Sequence, residues 1–206
     1  MNAQLKGLYL AQIGLDAFPY AAANSAQDRL WGVFRTSNLL RFPARQFFPT
    51  PANPLAMNSV WLLLGPVAAE PAGIPNTRAV FDGWLKDLVI STANAYAPAP
   101  PHPLGIAQKT VNLFLKDLWA LNRLTPAQEE CLHAPIDSTI YEKVANAPPS
   151  WKHWTSVKWD DAVEFHDLWT DYLRLQTAIQ GRATSLTTPG LTMYPIMLEQ
   201  LLWGAL

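Results

Sequence analysis

The chain has 206 residues, of which half are hydrophobic and 15% are charged, with nine tryptophans and eighteen prolines. This composition excludes a disordered chain and leaves enough apolar sequence for one domain spanning residues 1–206. The net charge of −1 does not favour nucleic-acid binding, so a protein that gripped DNA would need local rather than global positive charge.

A single cysteine, Cys131, excludes an internal disulfide and a metal site built on cysteines, and we expect it to be a buried thiol. The four histidines lie too far apart in the sequence to form a ligand pair on one helix, so we predict no metal site. No signal peptide and no apolar run of membrane-spanning length are visible. We therefore expect a soluble, cytoplasmic protein with no membrane partner.

Apolar residues recur with helical spacing along most of the chain, and prolines interrupt the pattern. Residues 1–18 favour a short helix or strand, and residues 61–64 favour a short buried element that ends at Gly65-Pro66. No stretch alternates cleanly enough for a sheet, so the predicted fold class is all-α. The predicted helices cover residues 25–40, 78–96, 109–122, 138–146, 160–180 and 193–203, with a further helix start at Thr125.

Two clusters of basic residues could supply local positive charge for DNA. One contains Arg29, Arg35, Arg41 and Arg45. The other lies in residues 148–159, where tryptophans alternate with Lys152, His153 and Lys158. Aromatic and basic side chains in one segment either stack on bases and hold phosphates or pack beneath the fold, and the sequence leaves both readings open.

Lys109 and Asp137 both fall at predicted helix starts. A cation in the first turn of a helix is disfavoured by the helix dipole, and partial desolvation would favour the neutral amine, which is a nucleophile. Asp137 follows Pro135 and is a typical N-cap, which keeps its carboxylate ionised and fixed. Such a pair suits attack at a carbon that develops positive charge. The ordinary alternatives are a solvated surface lysine and a helix cap without further role.

Residues 105–111 (GIAQKTV) resemble the hairpin and catalytic-lysine segment of the helix-hairpin-helix DNA glycosylases, and residues 134–140 (APIDSTI) resemble their Pro-Val-Asp-x-x-Val segment. The order of the two segments is similar to the 8-oxoguanine glycosylase branch, and Lys-Thr-Val is similar to its archaeal form. Two departures are visible. Ala107 replaces the second glycine of the hairpin, and the proline-rich stretch 97–104 precedes it. The resemblance covers about a fifth of the chain.

The resemblance implies a fold of two helical lobes with a base pocket between them. It implies that a monomer binds double-stranded DNA with a flipped modified base, and that Lys109 attacks the sugar to form a Schiff base with help from Asp137. Oxidised guanine is the base this branch implies, and a modified base of phage DNA is the alternative, so the role is either repair or defence. β-Elimination from the Schiff base would cut the strand. No metal or organic cofactor is required.

The resemblance also suggests which residues contact the DNA. The hairpin would offer backbone N–H groups to a phosphate, and Lys116 lies further along the same helix. The residues expected at the DNA backbone are Gly105, Ile106, Ala107, Gln108 and Lys116. The aromatic and polar candidates for the base pocket are Trp119, His133, Trp154, Trp169 and Trp203.

Two other functions fit the sequence. A non-catalytic helical DNA-binding module would use the hairpin to grip phosphate, with Lys109 as a contact only. A helical protein-interaction scaffold would account for the near-neutral charge and the many tryptophans.

Overall fold

The computed structural model describes residues 2–13, 54–144 and 156–204 of the chain. Within these ranges the regular elements are helices, and β pairing is limited to two isolated bridges, so the all-α prediction is confirmed. The helices are α1 (Asn2–Ile13), α2 (Pro54–Ala69), α3 (Arg78–Tyr96), α4 (Leu104–Ala120), α5 (Pro126–Cys131), α6 (Ser138–Lys143), α7 (Ala162–Ser185) and α8 (Pro195–Gly204), with a 3-10 turn at Pro71–Gly73.

Some predictions fall on parts of the chain that these ranges leave out. The predicted helix 25–40, the four early arginines and Trp154 with its neighbours 148–155 lie outside the described residues.

Helix α4 lies at the centre of the fold. The structure describes the whole of α4, and each of its residues except Lys109 is buried. Helices α1, α2 and α3 pack against it, and α8 in turn packs against α1, α6 and α7. Val111, Phe114 and Leu118 have no exposed surface. The prediction of a helix that is apolar almost all round and buried between other elements is therefore confirmed.

The start of α4 differs from the prediction. The helix begins at Leu104, so Lys109 lies in its second turn rather than its first. Pro103 and Gly105 are typical of turns, but proline is tolerated at a helix start, where its missing N–H has no helical partner to lose. The N–H of Gly105 instead donates to the carbonyl of Val157 at 3.1 Å. A contact distant in sequence thus stabilises a helix start that local propensity does not indicate.

Helix α2 also continues where a stop was predicted. Gly65-Pro66 lies inside α2, which runs on to Ala69. A proline within a helix removes the hydrogen bond to the carbonyl four residues earlier, here that of Leu62. Leu62 is 72% exposed and Pro66 is also exposed, so this part of α2 faces solvent, where water can take the place of the lost bond.

The caps predicted at Thr125 and Asp137 are confirmed. Thr125 and Gln128 form a reciprocal capping box at α5, with Pro126 in the first turn. Asp137 caps α6 and Asp161 caps α7, each accepting backbone N–H groups. Two predicted ends are wrong: α6 stops at Lys143, before Asn146, and α7 continues through Gly181 to Ser185. A helical glycine costs only about 1 kcal/mol, and α7 still buries Ala183 beyond it.

No helix in the described ranges combines the length and apolarity needed to cross a bilayer.

The central position of α4 predicts a large stability loss when its core is truncated. We expect Phe114→Ala to lower the free energy of unfolding by about 3–5 kcal/mol, since a buried ring is replaced by a cavity. Leu62→Ala on the exposed face of α2 should change it by no more than about 0.5 kcal/mol. Urea denaturation of both variants measures this. Equal losses in the two variants would contradict the placement of α4.

Candidate active site

Lys109 and Asp137 form an ion pair, with 3.2 Å between Nζ and Oδ2. The same carboxylate oxygen accepts the indole N–H of Trp203 at 3.1 Å, and Oδ1 accepts the backbone N–H of Ile140 at 3.0 Å as the cap of α6. Both oxygens of Asp137 are thus engaged, and the side chain is fixed in direction. The two residues are 28 positions apart in the sequence. The chain between them passes through α5, and the segment that leads into α6 brings Asp137 back to Lys109.

The ion pair lies in the wall of a pocket of about 260 Å³. The side chains of Lys109 and Asp137 retain 22% and 12% exposure, so both are reachable from the pocket. Helices α1, α4 and α8 and the start of α6 supply the lining, which consists of Tyr9, Gln12, Lys109, Leu113, Lys116, Pro135, Asp137, Glu199, Gln200 and Trp203.

A second ion pair lies in the same wall. Lys116 of α4 binds Glu199 of α8, and both side chains are almost completely buried. The Lys116 ammonium also lies 4.4 Å from the centre of the Tyr9 ring. Burial raises the pKa of Glu199, and the ammonium beside it opposes that rise. Since the two cations of the lining are each matched by a carboxylate, the pocket suits a ligand without net charge.

Helix α1 forms one side of the pocket and is held there by polar contacts. Tyr9 donates to Asp117 at 2.6 Å. At the pocket wall, Gln200 of α8 donates to Gln12 of α1 at 2.8 Å. Gln200 is buried, and its Oε1 has no hydrogen-bond partner among the described residues.

The hairpin residues occupy different places from those expected. Gly105, Ile106, Ala107 and Gln108 are all buried inside α4. The N–H of Gly105 is bound to a carbonyl of the 156–159 segment, and that of Ala107 donates to Pro103 at 3.0 Å. These two N–H groups are engaged within the protein and are not available to a phosphate. Lys116 is 2% exposed and is therefore a pocket-wall residue rather than a contact to the DNA backbone.

Of the five residues expected in a base pocket, Trp203 lines this pocket, three others do not, and Trp154 lies outside the described residues. Trp119 is fully buried, with the Lys6 ammonium 5.5 Å from its ring centre. Trp169 packs between Phe165 and Tyr172 in the core. Their aromatic character indicated burial but not which cavity they would face.

His133, the third candidate outside this pocket, is part of a buried chain of hydrogen bonds that begins at a second cavity, of about 310 Å³. Its Nε2 lies 3.0 Å from Asp82 and its Nδ1 lies 2.9 Å from the Tyr172 hydroxyl. Asn112 also donates to that hydroxyl, at 3.0 Å. Because a carboxylate only accepts hydrogen bonds, a neutral imidazole here carries its hydrogen on Nε2 and donates it to Asp82. Burial lowers the pKa of His133, consistent with a neutral ring.

The polar residues of α8 were missed from the sequence. Glu199, Gln200 and Trp203 lie at positions i, i+1 and i+4 of an otherwise apolar helix, which places them on neighbouring faces. Two adjacent polar residues in such a helix were a usable indication of a buried polar site. Tyr9 and Gln12 carried no comparable local indication.

Among the described residues, no three histidine, cysteine, aspartate or glutamate side chains lie close enough to hold a metal ion together. Cys131 is a buried free thiol, as predicted, and burial raises its pKa. His166 lies on the exposed surface of α7.

No family model matches the chain, and neither the curated proteins nor the solved structures contain a significant match. The function must therefore be argued from the site itself.

The buried His133 predicts a pH dependence of folding. Its pKa is lowered in the folded state, so the unfolded chain binds the extra proton first as pH falls. The stability that its neutral form contributes is present above about pH 6.5 and is lost as the pH falls from there towards the folded pKa. The loss should approach, at most, about 1.4 kcal/mol per pH unit.

Urea denaturation between pH 5 and pH 8 measures this loss. We expect His133→Gln to be less stable than the parent at pH 8 and to show a weaker fall towards pH 5. The matched variant His166→Gln, altered at an exposed histidine, should keep the parent's slope. The same slope in His133→Gln and the parent would contradict a neutral buried imidazole.

Proposed function

We propose that this chain is a DNA glycosylase in which Lys109 is the nucleophile and Asp137 its partner. One observation carries the proposal. Lys109 is the single residue of the fully described helix α4 that is not buried, and its amine faces a pocket while it contacts a fixed carboxylate at 3.2 Å. A lysine amine held against a carboxylate in a concave, partly apolar site is an arrangement for covalent catalysis.

The proposed reaction proceeds through a Schiff base. The neutral amine of Lys109 forms a bond to C1′ of the sugar while the bond from C1′ to the base nitrogen breaks. The base leaves with the bonding electron pair and takes up a proton. The sugar ring then opens to give the imine, which is either hydrolysed or loses a proton from C2′ and expels the 3′ phosphate. The second route would add AP lyase activity and cut the strand.

Asp137 has two tasks in this scheme. As the nearest carboxylate, it accepts the proton that Lys109 must lose before attack, and its negative charge stabilises the positive charge that develops on the sugar. The bonds from Ile140 and Trp203 hold both of its oxygens, so the carboxylate need not reorganise during the reaction.

The pocket supports a single flipped base as the ligand. Its volume of about 260 Å³ lies below the roughly 300–1,000 Å³ typical of sites for drug-sized ligands. Trp203 and Leu113 offer apolar surface, Gln12 offers an amide group, and the charged lining residues are paired. A neutral, planar heterocycle with donors and acceptors at its edge matches that combination.

The wider proposal is that a cytoplasmic monomer acts on double-stranded DNA, with the pocket lying between two helical lobes. The base is oxidised guanine or another modified base, and the role is repair or defence against phage with modified DNA. Because the backbone donors of residues 105 and 107 are engaged within the protein, the proposal assigns no phosphate contact to them.

Borohydride trapping tests the Schiff base. Borohydride reduces an imine between protein and DNA to a stable amine, so we expect the parent protein to form a covalent adduct with a duplex carrying the excised base or an abasic site. Lys109→Gln should lose the adduct entirely, because glutamine has no nucleophilic amine. Denaturing gel electrophoresis of duplexes with 8-oxoguanine, an abasic site or hypermodified cytosine identifies the best substrate.

The matched control for trapping is Lys86→Gln, which removes a lysine that lies over the Phe165 ring, outside the pocket. It should trap like the parent. DNA binding by the parent without an adduct on any duplex would support a binding module instead. Absence of binding at low salt would exclude a DNA enzyme.

Asp137→Asn tests the carboxylate. Asparagine remains a good N-cap for α6, so the fold should persist, but the charge beside Lys109 is lost. We expect the single-turnover rate of adduct formation to fall by about 10²–10⁴-fold.

Asp161→Asn is the matched control for Asp137→Asn, because Asp161 caps α7 in the same way on an exposed surface. Its rate should equal the parent's. A rate in Asp137→Asn close to that in Asp161→Asn would remove Asp137 from the mechanism.

A further inference from the structure

Two buried glutamine side chains hold the backbone that leads to Asp137. Gln176 of α7 accepts the N–H of Ala134 at 3.0 Å and donates to its carbonyl at 2.8 Å. Gln108 of α4 donates to the carbonyl of Ile136 at 2.8 Å, with a longer 3.4 Å contact from the Ile136 N–H to its oxygen. Residues 134–136 belong to no helix or strand, so side-chain amides replace the pairing that regular structure would provide.

Gln108 and Gln176 hold the same segment from different helices. Gln108 directly precedes Lys109 on α4, and Ile136 directly precedes Asp137. The hydrogen bond from the Gln108 side chain to the Ile136 carbonyl therefore links the residue before Lys109 to the residue before Asp137. Gln176 reaches Ala134, further from the carboxylate, and starts from a helix that carries neither member of the ion pair.

The amide of Gln108 has one orientation. Its oxygen accepts from Asn112 at 3.2 Å, and its nitrogen donates to Gly105 at 3.0 Å as well as to Ile136. Reversal of the amide would set its nitrogen against the Asn112 nitrogen and its oxygen against two carbonyls. Asn112 is held in turn by the Tyr172 hydroxyl. With no exposed surface, Gln108 cannot exchange these partners for water.

We propose that Gln108 is a positioning residue that sets the distance between Lys109 and Asp137. It takes no part in bond making. The importance of Gln108 for catalysis rests on the proposed function. The distance between Lys109 and Asp137, however, is a property of the folded protein with or without DNA.

Carbodiimide cross-linking measures that distance directly. The reagent activates the Asp137 carboxylate, the Lys109 amine displaces the activating group as a urea, and an amide forms only if the two groups are in contact. Mass spectrometry of the digested protein quantifies the linked peptides. The ion pair between Lys6 and Glu129, at 2.6 Å, provides an internal reference in the same sample.

Gln108→Met removes the hydrogen bonds and keeps the length of the side chain. We expect the Lys109–Asp137 cross-link to fall by about tenfold relative to the reference, and borohydride trapping at saturating DNA to slow by about 100-fold, because small misplacements of reacting groups cost rate steeply. Gln176→Met is the matched control, since it loses two bonds to the same segment. Its cross-link should stay close to the parent's.

An unchanged cross-link in Gln108→Met would overturn the proposal, and so would equal losses in Gln108→Met and Gln176→Met, which would indicate general loosening of the segment. If Gln108→Met does not fold, Gln108→Asn replaces it, since this variant keeps an uncharged amide but is one methylene too short to keep the bond to Ile136. Failure of the parent to trap any DNA would end the glycosylase proposal, while the cross-link would still decide the role of Gln108.

Discussion

The complete burial of α4 is the constraint on which the rest of the structure depends. Polar groups inside a protein need partners, and α4 carries five buried polar side chains that bind its neighbours. Gln108 binds the segment before α6, Thr110 binds α3, Asn112 binds α7, Lys116 binds α8 and Asp117 binds α1. Each inward polar residue thus fixes a different element against one helix. The pocket is a gap in the packing between α4 and the elements α1, α8 and the start of α6, and Lys109 lies in its wall.

Pairing of charges governs the character of the pocket. A buried ion pair contributes little net stability, because desolvation offsets most of the attraction, but removal of one partner is strongly destabilising. The pair between Lys116 and Glu199 is therefore better understood as fixing α8 in register than as a source of stability. The opposite charges of this buried pair also largely cancel, so they contribute little electric field in the pocket. A ligand would therefore contact the charges of the partly exposed pair, Lys109 and Asp137.

Local sequence patterns predicted the parts of the fold that local physics decides. The caps at Thr125 and Asp137 need only a few neighbouring residues, and both are confirmed. The start of α4 depends on a bond from Gly105 to a distant carbonyl, and local pattern pointed to a turn. Burial of Lys116 depends on Glu199, which lies 83 positions away. The sequence could therefore suggest Lys109 and Asp137 as a pair, but not the walls around them.

The walls of the pocket come from distant parts of the chain, with Gln12 and Gln200 in contact across a separation of 188 residues. During synthesis α1 and α4 are made long before α8. Until α8 emerges from the ribosome, Lys116 lacks its carboxylate and Asp137 lacks the indole of Trp203. A nascent chain therefore has no formed site, and the last pocket element to be translated is also the one that completes the charge balance.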